Sequence, residues 1–148
     1  MNIELTELIN SKIQTNRIIE VAEFSLLKMG VHPDSELSIS LVDEIEMSSL
    51  HMRWLDESGP TDVLSFPMDE LKPFSASSGP GMLGDIVLCP EYAIPQAERA
   101  GHSIQEELEL LTVHGVLHLL GFDHREIEEK NVMFSRQDEI LREWRSKS

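Results

Sequence analysis

Apolar and polar positions alternate along this chain in two rhythms, and each change of rhythm marks an element. Residues 1–5 suit a short strand. Over residues 10–29 the apolar side chains Ile13, Ile18, Val21, Ala22, Phe24 and Met29, with Ser25 among them, recur at helical spacing. Gly30 follows, where a left-handed residue commonly ends a helix. Residues 36–42 (ELSISLV) alternate with period two and predict a strand with one polar face. Asp43 then stands at a helix N-cap with Glu46 completing a capping box, and that helix runs to about Leu55. TDVLSF (61–66) is a strand stopped by Pro67, and GDIVLC (84–89) another stopped by Pro90.

Between those two strands, residues 68–82 gather glycines and prolines with Ser75, Ser77 and Ser78, the composition of a flexible loop rather than a domain linker. Pro90 suits the first turn of a helix that reaches Ala100 and ends at Gly101. Ser103 and Glu106 form a second capping box, opening a helix to Leu120 that Gly121 stops. Residues 125–144 predict a last helix, with Ile127, Val132, Met133, Ile140, Leu141 and Trp144 as its apolar members. The order β-α-β-α-β-β-α-α-α describes an α+β domain around a small mixed sheet. A chain of 148 residues, 41% apolar and 26% charged, fits one such domain spanning 1–148 without needing disulfides.

Composition narrows the setting. Cys89 is the single cysteine, which rules out an intramolecular disulfide and suits a reducing cytosol. The start of the chain has neither a basic segment nor an apolar one. No stretch approaches the ~20 apolar residues of a membrane helix, so a cytoplasmic protein with no membrane partner is expected. Twelve Lys and Arg against 27 Asp and Glu leave a net charge of −15. Such a surface repels phosphate backbones at long range, so DNA is not expected as a partner, and RNA contact would need a local basic patch. Arg136, Arg142, Arg145 and Lys147 cluster near the C-terminus, where cations favour the last helix's dipole.

Candidate chemistry gathers in HGVLHLLGFDH (114–124). Residues four apart on a helix stand one turn above each other, so His114 and His118 can present two imidazoles to one ion. Gly121 can take positive φ and turn the chain so that His124 returns over the same ion. Three neutral nitrogens with a fourth position open is the layout of a catalytic zinc rather than a closed structural one. An isolated His pair at this spacing is more often two hydrogen-bonded core histidines; the third, after a glycine turn, favours one zinc ion. The spacing H-x3-H-x2-G-x2-H matches the metzincin peptidases in its histidines and glycine. Their general base, a Glu directly after the first histidine, is replaced here by Gly115, which cannot take a proton and points instead to close backbone approach beside the ion.

HGVLHLLGFDH, together with PTDVLSFP (60–67) and LGDIVLCPE (83–91), resembles the YbeY family of bacterial endoribonucleases, in the family's order and spacing. The resemblance implies a mixed four-stranded sheet flanked by about five helices. It also implies a zinc-dependent, single-strand-type endoribonuclease acting in ribosomal RNA maturation, especially at the small-subunit 3′ end, and in ribosome quality control. Its substrate would be ribosomal RNA, with ribosomal proteins or assembly factors as further partners, and its metal ligands carry over as His114, His118 and His124. Many family members place an arginine five residues before the proline that opens the PTDVLSFP block, and here that position is Leu55. Arg53 is the nearest candidate for substrate binding, although a regular helix turns it about 200° from Leu55. It substitutes only if the helix has ended there.

The residues leave the catalytic base open. Asp123 adjoins a ligand and can orient a histidine through a hydrogen bond, while Asp85 is either a base or a turn residue. Whether water or the ribose 2′-hydroxyl attacks is equally open. Two other functions compete: a zinc hydrolase of another class, against which Gly115 speaks, and a non-catalytic, metal-stabilised ribosome-assembly factor, with which the acidic charge is compatible.

Overall fold

The computed structural model describes residues 1–68 and 81–147. Its elements follow the expected order: β1 (Asn2–Glu7), α1 (Thr15–Lys28), β2 (Glu36–Leu41), α2 (Glu44–Leu55), β3 (Val63–Pro67), β4 (Met82–Leu88), α3 (Pro90–Ala100), α4 (Ile104–Leu119) and α5 (Ile127–Ser146). The loop expected over 68–82 shrinks at its end, because Met82 already pairs with Glu36; residues 69–80 lie outside the described ones.

The four strands form one mixed sheet in the order β1-β2-β4-β3. β1, β2 and β4 run parallel, and β3 returns antiparallel along β4. β3 is an edge strand, so it keeps Pro67 paired with Gly84 rather than ending before it; a missing N–H is tolerated at an edge.

Period-two alternation sorts the strand side chains to two faces. Ile39, Leu41, Leu83, Ile86 and Leu88 join the main core with α1, α4 and α5. Val87, Leu64 and Phe66 face the other way, onto Val42, Met47 and Leu50. Thus α2 covers one face of the sheet and α4 lies on the other.

Helix α4 is the centre of the domain, touching α1, α3, α5, β3 and β4. It is apolar on most of its circumference, with Leu108, Leu111, Val113, Val116, Leu117 and Leu119 all buried, as a helix enclosed by other elements must be. Its start is fixed by the full capping box: Glu106 N–H donates to Ser103 Oγ at 3.1 Å and Ser103 N–H to Glu106 Oε1 at 3.3 Å. At the start of α2 only half of the expected box appears among the described hydrogen bonds, Glu46 N–H donating to Asp43 Oδ1 at 2.8 Å. No helix among the described residues is long and apolar enough to cross a membrane.

Candidate metal centre

The histidines are placed by α4 and its end. His114 and His118 stand one turn apart on α4, and the chain leaves the helix through Leu120 into Gly121 at φ 98°. That left-handed turn is strained for any residue with a Cβ, and it brings His124 back towards the helix. Nε2 of His118 lies 3.1 Å from Nε2 of His114. One ring nitrogen from each of the three histidines falls within a mutual distance of 4.8 Å. Nitrogens held about 2.0–2.1 Å from a tetrahedral zinc stand roughly 3.3 Å apart, so the donor set and its spacing fit such an ion. His124 is exposed and the other two are half-buried, which leaves the cluster open on one side.

The surroundings favour the neutral form of His114 and His118, the form a ligand must have. Burial pushes the pKa of His118 down to about 4, aided by the neighbouring His114 and His124. Burial also lowers His114, against the opposing hydrogen bond that its Nδ1 makes to the Gln137 amide oxygen.

Two residues of α5 complete the site. The Nδ1 of His114 lies 2.8 Å from Oε1 of the buried Gln137. The ring of Phe134 stacks on His114 at 6.0 Å between centroids and 25° between planes, and on His124 at 6.2 Å and 12°. Neither residue belongs to the histidine segment. The signal for Gln137 is a polar residue on an apolar stripe, for Met133, Ile140, Leu141 and Trp144 of the same helix are all buried. A buried amide at such a position requires a hydrogen-bonding partner.

The carboxylates near the motifs do other things. Asp123, which its place in the sequence allows to orient a histidine ring, instead accepts the main-chain N–H of His124 through Oδ1 at 2.7 Å and pairs with Arg125 through Oδ2 at 3.0 Å. It therefore fixes the backbone that carries His124, and these bonds hold its own carboxyl below the usual range. Asp85 is adjacent to Ile86, which faces α4, so it points to the opposite side of the sheet. There it lines a groove of about 430 Å³ with Val42, Leu50, Trp54 and Phe66, away from the histidines.

Arg53 is not brought to the cluster. It sits on α2, across the sheet from α4, and its Nη2 donates to Ser49 Oγ at 3.0 Å on an exposed surface. Helix α2 continues through Leu55 and stops only at Asp56, in the left-handed conformation at φ 54°. Arg53 therefore points away from the direction Leu55 takes.

Gly115 does make a close approach, to the sheet. A Cβ there would come within 3.1 Å of Ile86 Cγ2 and 3.2 Å of Ser65 Oγ. The peptidase's glutamate position thus faces β3 and β4.

Fold and site together define a single-domain α+β protein whose central helix and following turn assemble three histidines able to coordinate a metal ion. Comparison with known proteins gives the lineage. The family model described as Endoribonuclease YbeY matches residues 2–145, and the chain belongs to that family. It is 55% identical to the endoribonuclease YbeY of Rhodococcus erythropolis, over 97% of this chain and 82% of that protein. The Mycolicibacterium smegmatis relative is 54% identical over 97% of this chain and 83% of its own length. A solution structure of a Thermotoga maritima protein superposes with a TM-score of 0.66 at 28% identity, covering 98% of this chain and 93% of the other.

Proposed function

We propose that this chain is a zinc-dependent endoribonuclease that cuts single-stranded regions of ribosomal RNA, in maturation of the small-subunit 3′ end and in ribosome quality control. The observation that carries the reading is the convergence of His114, His118 and His124 at the open end of α4, in a chain of the YbeY endoribonuclease family. These three side chains would hold one ion through ring nitrogens. Zinc supplies, when bound, Lewis-acid chemistry that acidifies water and polarises a phosphoryl oxygen, with its charge undiminished because every ligand is neutral. The chain's own contribution is to favour unprotonated His114 and His118 and to hold His124 in place through Asp123. It also walls one side of the site with Phe134.

Gly115 supports RNA over peptide as the substrate, since the residue that serves peptidases as a base is absent and its position is filled by the sheet. The acidic surface, at a net charge of −15, favours ribosomal proteins or assembly factors as docking partners beside the RNA. A cytoplasmic location agrees with that substrate and with a lone, buried Cys89.

Purified chain, zinc-loaded and zinc-stripped, is assayed on single-stranded RNA, structured RNA and casein. Zinc-dependent cleavage of single-stranded RNA is expected, with casein intact. RNA left intact in the presence of bound zinc would move the protein to the non-catalytic assembly role.

A further inference from the structure

We infer that Gln137 is a positioning residue for the metal centre: it fixes the tautomer of His114 so that Nε2, and not Nδ1, faces the other two histidines. The inference rests on the metal-centre reading above and adds to it a residue outside the histidine segment.

A neutral imidazole carries one proton on one of two nitrogens, and only the bare nitrogen can bind a metal. The ring of His114 has its Nε2 in the cluster, 3.1 Å from Nε2 of His118. Its Nδ1 meets Gln137 Oε1 at 2.8 Å, a good length for an N–H···O bond. The amide oxygen can only accept, so this contact places the proton on Nδ1 and leaves Nε2 bare. Were the proton on Nε2, it would point among the histidines, and Nδ1 would face an oxygen with no hydrogen between them. Burial enlarges that difference, because Gln137 is 6% exposed and no solvent is at hand to replace an unmade hydrogen bond there.

The ring's remaining freedom is rotation, and Phe134 limits it. Phe134 and Gln137 lie three residues apart on α5, on one face of the helix, so the same turn supplies the acceptor and the stacked ring. A metal-bound histidine whose second nitrogen donates to a fixed acceptor is the usual arrangement for orienting a ligand. Here the acceptor is an uncharged amide, which orients the ring without subtracting from the ion's charge. An anionic phosphodiester benefits from that charge, above all on a protein this acidic.

The test uses the full chain and three variants, Gln137→Leu, Gln137→Glu and His114→Ala, with two readouts. The first is zinc affinity by competition with a chelator; the second is the ¹H–¹⁵N spectrum of the histidine rings, which reports directly which nitrogen carries the proton. Gln137→Leu keeps the volume and the apolar stripe but accepts no hydrogen bond, so it should lose about 10–100-fold in zinc affinity. Its His114 should lose the clean Nδ1–H signature while circular dichroism stays native. Gln137→Glu restores an acceptor, and should bind zinc at least as tightly as wild type with the Nδ1–H signature retained. If wild type binds zinc, His114→Ala does not, and Gln137→Leu matches wild type in affinity and ring spectrum, the positioning role is overturned while the metal centre stands. If wild type itself holds no zinc, or His114→Ala keeps it, the metal centre is overturned and the positioning role with it.

Discussion

The hydroxyl of Ser65 on β3 donates to the main-chain carbonyl of Gly115 on α4 across 3.2 Å, tying the histidine-bearing helix to the edge of the sheet one residue after its first histidine. The contact depends on the absence of a side chain at 115, where Ile86 and Ser65 already press against the backbone.

Gly115→Ala therefore sets two effects against each other. Replacing a helical glycine gains about 1 kcal/mol of helix propensity, and crowding Ile86 and Ser65 costs roughly 1–3 kcal/mol. Crowding should win, leaving the variant destabilised by about 1 kcal/mol in urea unfolding. Gly115→Glu restores the peptidase pattern in sequence but drives a charged chain into the sheet. It should lose upward of about 3 kcal/mol and hydrolyse no casein. Peptide cleavage by that variant would show that position 115 faces the reacting centre after all.

Zinc should stabilise the folded chain, since only that state assembles the three histidines. At a free concentration 100 times the dissociation constant, binding adds ~2.7 kcal/mol. For a domain of this size that raises Tm by roughly 5–11 °C. His114→Ala and His118→Ala should abolish both the rise and stoichiometric zinc by elemental analysis. An undiminished rise in either variant would place the ion elsewhere.

What the sequence made legible was local. The alternation of ELSISL, the Ser103–Glu106 box and the H-x3-H-x2-G-x2-H spacing all depend on neighbours within a turn or two, and each appears where the pattern puts it. The misplaced boundaries depend on distant partners. Helix α1 starts at Thr15 rather than near residue 10, and just before it the N–H of Gln14 is engaged by Gln105 Oε1 at 2.8 Å. β1 runs on to Glu7 because Thr6 and Glu7 pair with Ser40 and Leu41. The same division holds at the site. The histidines share one short segment, whereas Gln137 reaches His114 across 23 positions of sequence and Asp123 chose a backbone partner over a ring. Only the break in α5's apolar stripe hinted at Gln137.

A second buried network ties the helices together and gives a pH signature. Glu109 on α4, 3% exposed, accepts from Arg17 of α1 at 3.0 Å, from Trp144 of α5 at 2.9 Å and from Gln105 of its own helix at 3.0 Å. Burial pushes its carboxyl up, but these three donors and the charge of Arg17 outweigh it and hold the group below its ordinary 4.5. A carboxyl lowered by folding contributes stability that is complete above its unfolded value and fades as pH falls through the folded one. Wild type should therefore lose stability more steeply than Glu109→Gln below about pH 4.5. At neutral pH the variant should be less stable by roughly 1–3 kcal/mol, since Arg17 is partly exposed and keeps some hydration. Parallel acid limbs in the two unfolding curves would remove Glu109 from the account.

The last prediction concerns how RNA meets so acidic a surface. Among the described hydrogen bonds, the Arg53 guanidinium donates to the uncharged hydroxyl of Ser49 on an exposed helix, and such an acceptor is readily exchanged for an anionic phosphate oxygen. The sheet separates it from the histidines, so any phosphate it holds flanks the scissile one. Arg142 lies on α5 beside Leu110, Asp138 and Arg145, along a different groove. Arg53→Ala should then raise KM for single-stranded RNA about 2–5-fold, the worth of one exposed charge contact, with kcat, zinc content and fold unchanged. The slope of log affinity against log salt should fall in magnitude by about 0.7, as for one lost phosphate contact on a single strand. Arg142→Ala should change neither. If Arg142→Ala proves the more damaging, the phosphate contacts run along α5 and not past Arg53. A drop in kcat alone for Arg53→Ala would instead mean that α2 reaches the reacting phosphate, which its place across the sheet excludes.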